Sequence, residues 1–102
     1  MPIRVEIINA PTEGTIRRLC RRMRFSDQRE REEILSRRWG AVALIQGQVA
    51  EIFAAADRAE KAADVVIHEI VGACPQHVVV MAIFGDTAAV QAAVQAALEE
   101  GR

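Results

Sequence analysis

Two continuous apolar runs and two alanine-rich helical stripes follow one another in the second half of the chain, and their order restricts the fold. Residues 41–45 and 78–84 carry apolar side chains throughout, which is typical of buried strands. Residues 65–71 largely alternate and predict a further strand. Residues 48–63 and 87–98 place apolar side chains on one helical face. The order strand, helix, strand, strand, helix predicts an α/β (α+β) fold, with an antiparallel sheet and helices packed on one face.

The first twenty residues predict a smaller unit. Residues 3–9 alternate between apolar and polar side chains, which indicates a short amphipathic strand. Residues 10–14 have the Pro- and Gly-containing composition of a turn. We expect residues 15–20 to return as a second strand and so to complete an N-terminal β-hairpin, with a helix from Thr15 as the competing interpretation.

A short helix is predicted over residues 26–38. Ser26 or Asp27 can accept the first free backbone N–H groups, and the arginine and glutamate residues that follow are good helix formers. Because only Ile34 and Leu35 are apolar in this segment, we expect the helix to be largely exposed.

Length and composition describe one globular domain. The chain has 102 residues, of which 51% are hydrophobic, and a net charge of -1. These values argue against disorder and against binding to nucleic acid or membranes through bulk charge. Residues 1–40 hold ten arginines and six acidic residues, whereas residues 41–102 hold three basic and eight acidic residues. Because the arginines are interleaved with glutamates, we interpret the first half as a solvated, salt-bridged segment.

The sequence gives no sign of export or of a membrane anchor. Its two cysteines do not predict a disulfide scaffold. No apolar run reaches the about 20 residues that a membrane-spanning helix needs. Arg4 and Glu6 interrupt the apolar stretch that a signal peptide would require. The expected location is therefore cytoplasmic.

Two segments resemble one known family. Residues 50–64, which close with a Lys-Ala-Ala segment at Lys61, resemble the first helix and following strand of bacterial microcompartment shell proteins, the proteins of the BMC domain. Residues 84–93 resemble the Gly-Asp-x-x-Ala-Val start of the second helix in that family. The resemblance covers residues 40–98, with both segments in the family's order and spacing.

About forty residues precede the first matching strand, which is similar to the circularly permuted shell proteins of the propanediol- and ethanolamine-utilisation type. The resemblance implies one permuted BMC domain over residues 1–102, with a βαββα core in residues 40–100. The N-terminal strands match residues 1–25 and the short helix matches residues 26–38. In permuted members the N-terminal strands of six subunits form a small β-barrel over the hexamer axis, so we expect residues 3–9 to form a cap there.

The connection between the strands predicted at 65–71 and 78–84 contains a Cys-x-x-His sequence. A zinc site usually needs four ligands, so the residues alone predict a loop without a cofactor. The resemblance places this loop near a six-fold axis, where six copies would line a pore; a metal or iron–sulfur centre is the open alternative. The predicted pore-lining residues are Gly72, Ala73, Cys74, Pro75, Gln76 and His77.

Lys61 is the only lysine of the chain and stands near the end of a predicted helix. Its simplest role is a favourable interaction with the helix dipole. The resemblance implies instead that Lys61, together with Asp64, lies at the hexamer edge and contacts a neighbouring hexamer.

No set of catalytic residues is evident, so we do not expect an enzyme. His68 is expected to be a half-buried, hydrogen-bonded histidine, because no nucleophile motif accompanies it. The glutamate pairs at 32–33 and 99–100 are interpreted as solvated helix residues.

The resemblance implies a structural shell protein that forms hexameric tiles, whose centre controls or blocks the passage of small metabolites. Its partners would be further copies of itself, other shell proteins and encapsulated enzymes, within the microcompartment shell in the bacterial cytoplasm. The alternative is a regulatory domain of ferredoxin-like fold that binds a small molecule between its subunits. Such a domain usually carries Gly-rich ligand loops, which this sequence lacks.

Overall fold

The computed structural model describes residues 3–72 and 77–99, which form four strands and four helices. The predicted α+β class is confirmed. In chain order the elements are β1 (Arg4–Asn9), α1 (Glu13–Cys20), α2 (Gln28–Ser36), β2 (Ala41–Gln48), α3 (Val49–Ala62), β3 (Val66–Ile70), β4 (Val78–Gly85) and α4 (Thr87–Ala97).

All four strands form one antiparallel sheet in the order β1-β2-β4-β3. The register places Arg4, Gln46, Val80 and Ile70 in one row across the sheet. We call this the loop end, because the connection between β3 and β4 lies beyond it. At the opposite end, the turn end, Asn9, Ala41 and Gly85 form the last row.

Helices cover both faces of this sheet. On one face α3 and α4 pack on β2 and β4, through a core in which Ala41, Ala43, Ala55, Ala59 and Ala93 are completely buried. The small alanine side chains let the two helices approach the sheet and each other closely. The prediction of helices on one face is therefore right for α3 and α4.

The second face is covered by α1, α2 and the segment before β2, which the sequence did not predict to pack there. Ile16, Ile34 and Trp39 form a second core with Val42 and Phe84 of the sheet. The Trp39 Nε1–H donates to the carbonyl of Ile34 at 2.9 Å and fixes the end of α2 against this core. A helix forms within the predicted segment 26–38, from Gln28 to Ser36, and it is largely exposed, as expected. Its buried residue, Ile34, packs into this second core.

The expected N-terminal β-hairpin is wrong, because residues 15–20 belong to helix α1. The Thr12 side chain accepts a hydrogen bond from the Thr15 N–H at 3.1 Å and caps this helix. Ile16 and Cys20, one helical turn apart, are buried on the same face. The Thr12 cap and the burial of Ile16 and Cys20 on one face therefore favour a helix over the strand that the weak sequence pattern predicted.

Residues 4–9, part of the segment 3–9 that was expected to form a cap over the hexamer axis, lie as strand β1 at the edge of the subunit's own sheet. Strand β1 pairs with β2 over its whole length, from Arg4 opposite Gln46 to Asn9 opposite Ala41. The backbone groups on one edge of β1 are thus used inside the subunit's own sheet.

Strand β2 continues beyond the apolar run at residues 41–45 and ends at Gln48. A Cβ atom on Gly47 would lie 3.1 Å from Cδ1 of Ile52, so the missing side chain makes room for the first turn of α3. The glycine therefore serves helix–sheet packing and does not end the strand.

The outer edge of β3 is partly covered by the segment that follows α1. The Arg24 N–H donates to the Glu69 carbonyl at 3.1 Å, and the Val71 N–H donates to the Arg22 carbonyl. This pairing satisfies backbone groups of an edge strand and brings the arginines after α1 to the loop end.

Candidate functional site

The two predicted sites lie at opposite ends of strand β3. Lys61 and Asp64 precede the strand at the turn end, whereas Gly72 and His77 follow it at the loop end. A strand of five residues spans about 16 Å, so the structure keeps the predicted hexamer edge and the predicted pore apart. A single subunit can therefore present them to different neighbours.

At the turn end, Lys61 occupies the last turn of α3 and is exposed. Its Nζ atom lies 2.7 Å from Oδ2 of Asp57, one helical turn earlier. The Lys61 and Asp57 side chains are 76% and 58% accessible, so solvent screens the pair and its contribution to folding is small. Asp64 is exposed in the turn that follows. Both predicted edge residues are thus available for contacts outside the subunit.

At the loop end, Gly72 and His77 are exposed, and the predicted pore residues at 73–76 lie outside the described residues. The His77 carbonyl accepts a hydrogen bond from the Val49 N–H at 3.1 Å, which ties the loop to the start of α3. His77 has a positive φ of 62°, a conformation that is uncommon for residues other than glycine. A Cβ atom on Gly72 would meet nothing within 4 Å, so nothing in the described part of one subunit requires a glycine there.

His68 lies on the sheet face that carries α1 and α2. Its ring contacts the Phe25 ring edge-to-face, with the centroids 4.9 Å apart. The half-buried environment agrees with the sequence prediction. The predicted hydrogen bonding does not hold for Nε2, which is buried and has no partner within the described residues. The contacts of His68 described here include no nucleophile that its ring could activate.

Cys20 is 3% exposed in the core below α1. Burial raises the pKa of its thiol, and the nearby Arg31 charge opposes this only in part. A thiol held in its neutral form is a poor nucleophile. Cys20 therefore serves packing.

Two open grooves were not anticipated from the sequence. One, of about 430 Å³, lies beside Trp39, whose ring is covered by the Arg37 guanidinium at 4.0 Å. The other, of about 480 Å³, runs along the β3 edge and contains Phe53, which is 50% exposed, and Glu69.

In residues 3–72 and 77–99 no group of three or more His, Cys, Asp or Glu side chains is placed to hold a metal ion. The same residues include no helix with the length and apolar character of a membrane span.

The sequence model of the BMC domain matches residues 40–102. This chain belongs to the BMC domain family. The match begins at the residue before β2 and extends past α4, so it contains both the turn-end and the loop-end sites. The resemblance to bacterial microcompartment shell proteins that the sequence indicates is thereby confirmed.

Solved structures of microcompartment shell proteins agree with this assignment. The ligand-free GrpU microcompartment shell protein from Clostridiales bacterium 1_7_47FAA is 36% identical, with a TM-score of 0.68 over 95% of this chain and 89% of that chain. The ligand-free GrpU protein from Pectobacterium wasabiae is 34% identical, with a TM-score of 0.69 over 94% of this chain and 100% of that chain. No curated protein sequence matches this BMC protein significantly.

Both likenesses extend over the N-terminal part that the family model leaves out. The family is one of structural shell proteins, which favours a structural role over the alternatives of a regulatory domain or a small enzyme. The sequence pattern also did not predict the position of the arginines after α1. They reach the loop end only through their long-range pairing with β3, which no local pattern reveals.

Proposed function

We propose that this protein is a tile of a bacterial microcompartment shell: a closed homohexamer that packs into sheets, with a centre that controls or blocks the passage of small metabolites. The observation that carries the proposal is the likeness to two shell proteins over at least 94% of the chain at 34% identity or more. Its location would be the shell of a microcompartment in the bacterial cytoplasm. Its partners would be copies of itself, other shell proteins and encapsulated enzymes.

Exposed apolar side chains support assembly into a ring. Val49 and Phe53 stand one turn apart on α3 and are 37% and 50% exposed, and Val71 after β3 is 39% exposed. The outer edge of β1 is unpaired within the described residues, with Ile7 exposed on that strand. Different surfaces at the two edges of the sheet suit a head-to-tail contact, which closes into a ring when the rotation per subunit allows.

The connection at residues 72–77 is proposed as the lining of the central pore, from Gly72 and Ala73 through Cys74, Pro75 and Gln76 to His77. Gly72 supports this placement, because no contact within the described subunit explains the missing side chain. Close approach of several copies around an axis would explain it. A metal or iron–sulfur centre held by Cys74 stays an alternative for this loop.

Lys61 and Asp64 are proposed as edge residues between hexamers. Both are exposed at the turn end, on the side of the subunit away from the proposed pore. In a flat tile, the end away from the axis faces the neighbouring tile. Contacts there would repeat along every edge of a sheet of hexamers.

We also propose that the domain is circularly permuted. The family model starts at residue 40, yet β1 is hydrogen-bonded to β2, the first strand of the matching part. The sheet is thus completed by a strand from the N-terminal side. In ordinary members the corresponding strand and helix would follow the second long helix.

Native mass spectrometry of the purified protein tests the ring. We expect one dominant species with six times the 11.2 kDa mass of the chain. The Lys61→Ala variant is a matched control, because removal of an edge residue should leave this species intact. A stable monomer or dimer at micromolar concentration would overturn the proposal.

A further inference from the structure

The groove beside Trp39 lies where the turn after β1, the start of α1 and the end of α2 meet. The Ala10 N–H donates to the Gly40 carbonyl at 2.8 Å, which places this groove at the turn end of the sheet. Its volume of about 430 Å³ lies within the range of pockets that hold small ligands, about 300–1,000 Å³. We call it the Trp39 groove.

The floor of the Trp39 groove is apolar. Ile16 and Trp39 are 7% and 5% exposed and belong to the second core. The Trp39 Nε1–H already donates to the Ile34 carbonyl, so its one polar group is not available to a ligand. Leu35, in the last turn of α2, is 37% exposed and forms an apolar wall. This surface suits a small apolar body.

Three charged side chains line the groove, namely Glu13, Arg37 and Arg38. Glu13 is paired with Arg17, and Arg37 is paired with Glu33, so a neighbour offsets each of these two charges. Arg38 is exposed and has no acidic side chain within 4 Å in the part of the chain that the structure describes. One uncompensated positive charge therefore remains at the groove.

The helix dipoles do not change this sign. The groove borders the first residue of α1, Glu13, and the last residue of α2, Ser36. The start of a helix favours anions and the end of a helix favours cations. Because the two contributions oppose each other, the arginine side chains determine which ligand charge is favoured.

Arg37 is held in place before any ligand binds. Its guanidinium lies 4.0 Å from the centroid of the Trp39 ring, and its Nη1 donates to Oε2 of Glu33 at 3.2 Å. A guanidinium has five N–H groups, so others are left to donate to a ligand. Binding to a side chain that is already positioned loses less conformational entropy than binding to a free one.

We propose that the Trp39 groove binds a small organic carboxylate, a molecule with one carboxylate on a flat apolar body. The carboxylate accepts hydrogen bonds from the guanidinium groups of Arg37 and Arg38, whose planar N–H groups match its two oxygens. The apolar body lies on the floor, beside Leu35. The inference goes beyond the proposed shell function, because the groove is formed within one subunit.

Trp39 is a reporter inside this groove, because it is the only tryptophan of the chain and tyrosine is absent. The full chain is titrated with phenylacetate at neutral pH, and tryptophan fluorescence is recorded. We expect a saturable change with a Kd of about 1 mM or below. Phenylethanol and phenylethylammonium carry the same body without the negative charge, and should bind about fivefold more weakly or worse.

The role of Arg38 is tested with a charge-matched control. Arg38→Gln should raise the Kd for phenylacetate about fivefold and leave the Kd for phenylethanol unchanged. Arg29→Gln removes the same charge near the start of α2, at the far end of a nine-residue helix. That helix is about 13 Å long, which exceeds the screening length of about 8 Å at physiological salt. This control should change either Kd by less than about 1.5-fold.

The apolar wall is tested with Leu35→Ser, an exchange at an exposed position that should leave the fold intact. We expect the Kd values for phenylacetate and phenylethanol to rise together, by about threefold, because both lose the same apolar contact. Fluorescence that does not saturate, equal Kd values for the charged and neutral compounds, or equal effects of Arg38→Gln and Arg29→Gln would overturn the carboxylate site. None of these outcomes bears on the proposed hexamer.

Discussion

The guanidinium of Arg58 donates two hydrogen bonds to the end of helix α4: Nη2 to the Ala97 carbonyl at 2.7 Å and Nε to the Ala96 carbonyl at 3.2 Å. The last carbonyls of a helix have no partner within the helix, and a cation beside them also interacts favourably with the helix dipole. Arg58 thereby adds a polar contact between the two alanine-rich helices of the family domain, α3 and α4, whose small side chains already pack in one core.

Replacement of Arg58 by alanine should destabilise the fold. Hydrogen bonds to charged groups contribute about 1.5–3 kcal/mol, and partial exposure of this site places the expected loss near the lower value. Urea unfolding followed by circular dichroism, at fixed protein concentration, measures the free energy of unfolding.

Arg17→Ala is the matched control for Arg58→Ala. It removes an exposed pair with Glu13 at 2.8 Å, one helical turn apart, and such pairs contribute about 0.5 kcal/mol or less. Equal losses in the two variants would show that the Arg58 contacts with α4 do not stabilise the fold.

The elements predicted well from the sequence are those with long local patterns. The apolar runs of β2 and β4 and the helical stripes of α3 and α4 each determine their own structure over eight or more residues. The order of these elements along the chain then allows only a few sheet topologies. The confirmed family resemblance came from the same segments.

Sequence reasoning predicted the strand at residues 3–9 but not its partner, and it favoured a strand over a helix for residues 15–20. Strand β1 pairs with β2, more than thirty positions later, and nothing in residues 3–9 identifies that partner. Helix α1 has eight residues, too few for a strong periodic signal. Its usable signal was Thr12 before the acidic Glu13, a typical start of a helix.

The stability of the protein should fall at alkaline pH because of Cys20. Burial raises the pKa of its thiol above the ordinary value of 9.0. The stability that this neutral thiol contributes is fully present below pH 9.0 and is lost as the pH rises through the raised pKa. The loss is at most about 1.4 kcal/mol per pH unit in that window.

The composition makes this effect measurable, because the chain has no tyrosine and only Lys61 as a lysine. Unfolding free energies are compared between pH 8 and pH 10.5 for Cys20 and Cys20→Ala, both in a Cys74→Ser background. We expect the free energy of unfolding to fall more steeply between pH 8 and pH 10.5 in the protein with Cys20 than in the Cys20→Ala variant. Parallel curves would show that ionisation of Cys20 does not destabilise the fold.

Lys61→Ala should prevent the assembly of hexamers into sheets and leave the hexamer intact. The Lys61 side chain is exposed and paired only with Asp57, so its removal should cost the fold less than about 1 kcal/mol. A contact that repeats at every edge of a lattice is lost at every edge at once. Negative-stain electron microscopy records the sheets, and light scattering records the hexamer.

Arg17→Ala serves as the control for Lys61→Ala, because Arg17 also forms an exposed pair one helical turn away, with Glu13 at 2.8 Å. This variant should form sheets as the parent protein does. Normal sheets from Lys61→Ala would place the hexamer edge elsewhere on the subunit.

The central claim, a hexamer whose centre is lined by residues 72–77, is tested most directly by thiol cross-linking of Cys74 with Cys20→Ser as the background. Mild oxidation of six Cys74 thiols around one axis should give disulfide-linked dimers in high yield, within intact hexamers. A matched variant with the thiol moved to the turn end, Ala62→Cys with Cys74→Ser, should not link within a hexamer. Cys74 thiols that stay unlinked and are labelled singly, as isolated surface groups, would contradict the placement of this loop at the centre.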